Sequence, residues 1–111
     1  LRLAKPDFIE LLREPLLKPI TRVDAERKVH AGRARWLDVR YGVEFAEDGL
    51  DGALNIPLNE IRSAFGLLDR NTEYVVYCQS GRRSSAAAFL LAQHGISAYW
   101  LENGLHAQGA H

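Results

Sequence analysis

The residues of this chain best suited to covalent chemistry stand together in Cys78-Gln79-Ser80-Gly81-Arg82-Arg83-Ser84, which contains the only cysteine. A thiolate is the nucleophilic form of cysteine, so a reactive Cys78 needs a lowered pKa. Three features of the stretch supply that. The preceding Tyr74-Val75-Val76-Tyr77 is apolar, β-branched and aromatic, and the following Ser85-Ala86-Ala87-Ala88-Phe89-Leu90-Leu91-Ala92-Gln93-His94 is rich in helix formers. Cys78 therefore sits where a strand hands over to a helix, whose unpaired N–H groups and dipole attract negative charge. Gly81 can adopt a positive φ, so the turn can form a cradle of backbone N–H groups. Arg82 and Arg83 add positive charge, and no residue from Tyr74 through Leu101 is acidic. The chemistry expected is that of an activated thiol meeting an anion. Taken alone, a cysteine after a strand is an inert buried residue, and an Arg-Arg pair a solvated surface; the spacing of the whole stretch argues for the reactive thiol.

The elements that must position this stretch read as an α/β pattern. Ile20-Thr21-Arg22-Val23-Asp24 is a short extended piece leading into a helix, with Thr21 and Asp24 as a variant capping box and a stop near Gly32. Arg35-Trp36-Leu37-Asp38-Val39 reads as a strand. Tyr41 to Gly52 is polar, with Glu44 and Phe45 in a helical turn. Ala53-Leu54-Asn55-Ile56 is a second short strand closed by Pro57. Asn59 is expected to cap a helix from Glu60 to about Leu68, with Ile61, Ala64, Phe65 and Leu68 facing the core. Asp69-Arg70-Asn71-Thr72 is a turn. After the cysteine loop, its helix ends at His94-Gly95, Ile96 to Leu101 is a last strand, and Asn103-Gly104 turns the chain into its tail.

Short, nearly continuous apolar strands alternating with helices predict an open, mainly parallel sheet of about five strands with helices on both faces. Ligands of such sheets bind at the carboxyl ends of the strands. Asp38-Val39-Arg40 and Cys78 both lie there and are expected to share one rim.

Composition bounds the rest. The chain has 111 residues, 47% hydrophobic and 25% charged, which suits one globular domain. Fourteen basic residues (eleven Arg, three Lys) balance fourteen acidic ones, giving no reason to expect a nucleic acid or an anionic membrane as partner. One cysteine makes no internal disulfide, and His30, His94, His106 and His111 show no metal-ligand spacing. With no signal segment and no apolar run long enough to span a bilayer, a soluble protein of the reducing cytoplasm is the default expectation. The chain begins at Leu1 and contains no Met, which suggests a piece of a longer polypeptide. Residues 1–19, with a short helix around Pro6–Arg13, read as an arm packed on the domain of residues 20–111, or a linker to a neighbouring domain.

From about Ile20 to Leu105 the chain resembles the rhodanese-like sulfurtransferase domain. Trp36-Leu37-Asp38-Val39-Arg40 is similar to the family's apolar-Asp-Val-Arg strand end. Gly52-Ala53-Leu54-Asn55-Ile56-Pro57-Leu58 is similar to its Gly-Ala-x-Asn-Ile-Pro segment. Cys78 to Ser84 matches the Cys-x-x-Gly-x-Arg-Ser loop of bacterial single-domain members. The family's Gly-His-Ile-Pro is replaced by Asp48-Gly49-Leu50-Asp51, and the Trp of its terminal Gly-Gly-x-x-x-Trp is absent after Asn103-Gly104.

The resemblance implies a Cys78 persulfide formed from a small anionic donor such as thiosulfate and discharged to a thiol or cyanide. Gln79, Ser80, Gly81, Arg82, Arg83 and Ser84 then bind the donor and persulfide, Ser84 also capping the helix. Asp38 and Arg40 are expected to form a supporting salt bridge at the rim in preference to direct substrate contact, and no organic or metal cofactor is required. Two rival readings fit the same loop. Cysteine phosphatases and arsenate reductases use a related device, but phosphatase loops hold one residue more between Cys and Arg than the four seen here. A sulfur-sensing or partner-binding module of a longer regulatory protein would also keep this loop.

Overall fold

The structure, a computed structural model, describes residues 18–105. Most of the arm (1–17), with the helix expected around Pro6–Arg13, lies outside the described residues, as do His106 and His111. Five strands form one sheet in the order β1-β5-β4-β2-β3. They are β1 (Pro19–Ile20), β2 (Ala34–Asp38), β3 (Leu54–Asn55), β4 (Glu73–Tyr77) and β5 (Ala98–Leu101). Every pairing is parallel, as the alternation of strands and helices predicts.

Strand alternation builds the core on both faces of the sheet. Leu37, Tyr74, Val76 and Ala98 face one side and pack with Ala87, Ala88 and Leu91 of α3 (Arg82–Gln93) and with Ile61 and Leu68. Trp36, Val75, Tyr77 and Leu101 face the other and pack with Ala25 and Val29 of α1 (Arg22–His30). The Thr21 hydroxyl caps α1 by accepting the Asp24 N–H at 3.2 Å.

Two expectations need correction. The stretch expected to form a helix capped by Asn59 is a 3₁₀ segment over Leu58–Leu67, preceded by Pro57 and without a side-chain cap. Pro57 lacks an N–H to share and fixes the entry φ, and the Leu58 N–H is committed to the Val39 carbonyl at 3.0 Å. The apolar stripe still reaches the core, since Ile61, Ala64 and Leu68 are buried. Second, the polar stretch after Arg40 holds more than one turn: α2 spans Gly42–Asp48. The Glu44 carboxylate accepts the Tyr41 N–H at 2.9 Å, which ties down the helix start.

Candidate active site

The parallel register sets Asp38 of β2 opposite Tyr77 of β4. Their carboxyl ends therefore meet, and the Val39 N–H reaches the Tyr77 carbonyl at 3.1 Å. Beyond them, alternation separates the residues expected on one rim. Val39 and Cys78 belong to the α3 side. Tyr77 belongs to the α1 side, and the Arg40 guanidinium lies 5.7 Å from its ring centre.

Asp38 and Arg40 do pair, through Arg40 Nη2 to Asp38 Oδ2 at 2.9 Å and Nε to Oδ1 at 3.1 Å. They are 0% and 1% exposed, so the pair sits within the protein and presents no charge at a rim. A second carboxylate, Asp48, reaches Arg40 Nη1 at 2.9 Å. Burial pushes Arg40 towards neutrality, and the hydrogen bonds to Asp38 and Asp48 more than offset it, raising its pKa. The Asn55 amide closes this corner by donating to the carbonyls of Asp38 and Arg40 at 3.1 and 3.0 Å. These contacts account for two sequence features: the Asn of the Gly52–Leu58 segment, and the Asp48 that stands where the family's His-containing stretch would be.

The cysteine loop folds back on its own sulfur. Gly81 has φ +101° and forms the N-cap of α3. This turns its N–H onto Cys78 Sγ at 3.0 Å, while the Ser84 N–H reaches the same sulfur at 3.3 Å. Ser84 is not the cap expected of it; it is the third residue of α3, fully buried. Its hydroxyl donates to the Gly81 carbonyl at 3.1 Å and stands 3.5 Å from Sγ. In the thiol form S–H can donate to this hydroxyl; in the thiolate form the hydroxyl can turn and donate to sulfur. Burial pushes the Cys78 thiol up. The Ser84 hydroxyl and the backbone N–H groups of Ser84, Gly81 and Ser80 outweigh that, holding its pKa below the ordinary value.

The back of the loop rests on the turn after β5. The Leu105 N–H donates to the Cys78 carbonyl at 2.7 Å. Gly104, at φ +79°, lies so close that a Cβ there would fall 2.2 Å from the Gln79 carbonyl oxygen. Asn103-Gly104 reads in the sequence as a turn at the place of the family's terminal Gly-Gly; its fit against the cysteine loop is visible only in the structure.

Gln79, Ser80 and Arg82 are exposed, Gly81 and Ser84 buried, and Arg83 half-buried. Arg83 is not the uncompensated cation suggested by its sequence neighbours. It grips Glu44 of α2 with a two-pronged contact, Nη1 to Oε1 at 3.0 Å and Nη2 to Oε2 at 3.1 Å. Glu44 is held below its usual pKa by this contact and by the Tyr41 N–H. Arg83 also lines a cavity of about 200 Å³ with Val39, Tyr41, Leu58 and Asn59. Arg82 lines a different, wider groove of about 470 Å³ with Ser80, Gly81, Trp100, Glu102 and others. Among the described residues there is no group of His, Cys, Asp and Glu fit to hold a metal ion, and no helix long and apolar enough to cross a membrane.

A strand ending in an activated thiol, seated in backbone N–H groups at the mouth of a helix, on a five-stranded parallel sheet, defines the class of the protein. The sequence profile of the rhodanese-like domain matches residues 21–110, and the chain belongs to that family. The thiosulfate sulfurtransferase PspE of Escherichia coli is 39% identical over 64 residues, covering 56% of this chain and 62% of that relative's length. The putative sulfurtransferase YtwF of Bacillus subtilis is 32% identical over 92 residues, 82% of this chain and 89% of the relative. A human single-domain sulfurtransferase superposes with a TM-score of 0.75 at 27% identity, covering 83% of this chain and 95% of that one.

Proposed function

We propose that the protein is a sulfurtransferase that carries a sulfane sulfur on Cys78 from a small anionic donor to a thiol or cyanide. The observation that carries the reading is the seat of Cys78 Sγ, which takes N–H groups from Gly81 at 3.0 Å and Ser84 at 3.3 Å. A cradle of that kind stabilises the thiolate and can hold the negative sulfur of a persulfide. With thiosulfate, the thiolate attacks the outer sulfur, the S–S bond of the donor breaks, and sulfite leaves with the bonding pair. Cys78 then bears a persulfide anion. The acceptor's nucleophile attacks the outer sulfur next and releases the Cys78 thiolate, a covalent two-step cycle.

Arg83 is the donor-facing cation in this reading, because it lines the cavity beside Val39 and Leu58. Arg82 faces the other groove. Asp38 and Arg40 brace the carboxyl end of β2 from behind and touch no donor. The names of the relatives support sulfur transfer as the activity. The loop length supports it over phosphate chemistry, since four residues between Cys78 and Arg83 make a smaller ring than a phosphatase loop. The cytoplasm remains the compartment that best suits a lone reactive thiol.

The test is the intact mass after incubation with thiosulfate, with Cys78→Ser as control. A gain of one sulfur atom on the parent only is expected, and cyanide should remove it with formation of thiocyanate. No gain with thiosulfate, polysulfide or mercaptopyruvate would sink the reading. A persulfide that forms but passes to no acceptor would favour the sulfur-sensing module over the enzyme.

A further inference from the structure

Arg83 already holds a carboxylate where it lines the cavity. Of the five N–H donors of its guanidinium, one on Nη1 and one on Nη2 are spent on Glu44. The other residues lining that cavity, Val39, Tyr41, Leu58 and Asn59, carry no charge at neutral pH. Glu44 therefore offsets the one charge among the residues that line the cavity, while three N–H groups of that guanidinium are left over. Glu44 is also fixed in place, since its Oε1 accepts the Tyr41 N–H at 2.9 Å and so anchors the start of α2. A carboxylate tethered at both ends cannot swing away when a donor arrives.

We propose that Glu44 is a specificity-determining residue that sets the charge of the sulfur donor, favouring monoanionic sulfane donors over dianionic thiosulfate. The proposal rests on the sulfur-transfer reading and sharpens it. A donor of the favoured class is an alkanethiosulfonate anion, R–SO₂–S⁻. The Cys78 thiolate attacks its outer sulfur, the S–S bond breaks, the sulfinate R–SO₂⁻ leaves with the electron pair, and Cys78 keeps the persulfide anion. Two negative charges enter and two leave. The step matches that of thiosulfate except for one charge on the donor. Glu44 repels each donor in proportion to that charge, so its effect on the dianion is the square, as a ratio, of its effect on the monoanion.

The experiment compares the parent with Glu44→Gln and Glu44→Asp, using thiosulfate and the methanethiosulfonate anion as donors and cyanide as acceptor. Glutamine keeps an oxygen for the Tyr41 N–H and removes the charge. Glu44→Gln is expected to raise kcat/KM about tenfold for thiosulfate and about threefold for the thiosulfonate, following the charge scaling. Glu44→Asp, which retains the charge, should keep the parent's ratio between donors whatever it does to the absolute rates. An equal change with both donors in Glu44→Gln, or a fall with thiosulfate in a variant that melts like the parent, would overturn the proposal and leave sulfur transfer standing. A parent that forms no persulfide from either donor would overturn both readings.

Discussion

Arg82 and Arg83 follow one another in the first turn of α3, and successive helical residues are rotated by about 100°. The two guanidiniums consequently meet different surroundings. Arg82 is exposed, pairs with none of the described residues, and lines an open groove with Trp100 and Glu102. Arg83 is half-buried, held by Glu44, lies 5.8 Å from the Tyr41 ring centre, and lines the smaller cavity. Positive charge near the loop is thus divided between a free cation that faces solvent and a restrained one that faces the proposed donor. An ion pair with several N–H groups left over can orient an anion while repelling excess charge. A free cation contributes mainly a field that salt screens.

The frame common to both sides is the loop, so the largest effect is expected where the loop is supported. Gly104→Ala would place a Cβ 2.2 Å from the Gln79 carbonyl oxygen at a position whose φ is +79°. The clash is with backbone, so no side chain can rotate away. Left-handed strain and overpacking together are expected to cost roughly 2–4 kcal/mol of unfolding free energy, measurable by urea denaturation. A variant as stable as the parent would mean that the turn after β5 does not hold the loop, and the separation of the two arginines would lose its structural basis.

Next in size is the direct comparison. Arg83→Ala removes the guanidinium proposed to face the donor and takes from Glu44 its ion-pair partner. Loss of charge-assisted hydrogen bonds of about 1.5–3 kcal/mol corresponds to roughly 10- to 150-fold in kcat/KM for thiosulfate. Arg82→Ala, an exposed cation without a described partner, is expected to cost no more than about threefold, and less in high salt. Equal losses in the two variants, measured by thiocyanate formation, would erase the distinction.

The sequence made most of the scaffold legible. The order of short apolar strands and helices led to the parallel sheet, and Thr21, His94-Gly95 and the apolar stripe of Ile61, Ala64 and Leu68 fell where local rules put them. The 3₁₀ segment departed from its helical pattern because Pro57 and the bond from Leu58 to Val39 impose a tighter entry, and periodicity alone does not report hydrogen bonds made to another element. At the site, Cys78 and its loop were visible as a motif, but the partner of Arg83 was not: Glu44 lies 39 residues upstream, in a stretch read mostly as polar loop. Asp38 and Arg40 were legible as a pair. Their burial behind the site follows from a strand parity that only the sheet register fixes. Gly104 was legible as a turn glycine at the place of the family's terminal Gly-Gly, but its close approach to the backbone of Gln79, 25 residues away, was not.

The finest distinction between the two sides concerns the sulfur itself. Cys78 is held below its ordinary thiol pKa against the effect of burial, first by the Ser84 hydroxyl and then by the N–H groups of Ser84, Gly81 and Ser80. The sign follows directly. A depressed pKa keeps the thiolate present at pH values where a free thiol, titrating near 8.5, is already protonated. Persulfide formation should therefore persist below that pH and fall away as pH drops through the folded value. The ultraviolet absorbance of the thiolate, absent in Cys78→Ser, reads the midpoint without requiring a reagent to reach a residue that is only 1% exposed. Ser84→Ala is expected to move the midpoint up the most, since it removes a neighbouring hydroxyl that can donate directly to the thiolate. Arg83→Ala should move it up less: Arg83 and the thiolate attract one another, but its charge is shared with Glu44. Arg82→Ala should move it least, because its cation is exposed to solvent and screened. A larger shift in Arg82→Ala than in Arg83→Ala would place the free cation nearer the chemistry than the restrained one, and would reverse the roles assigned to the two arginines.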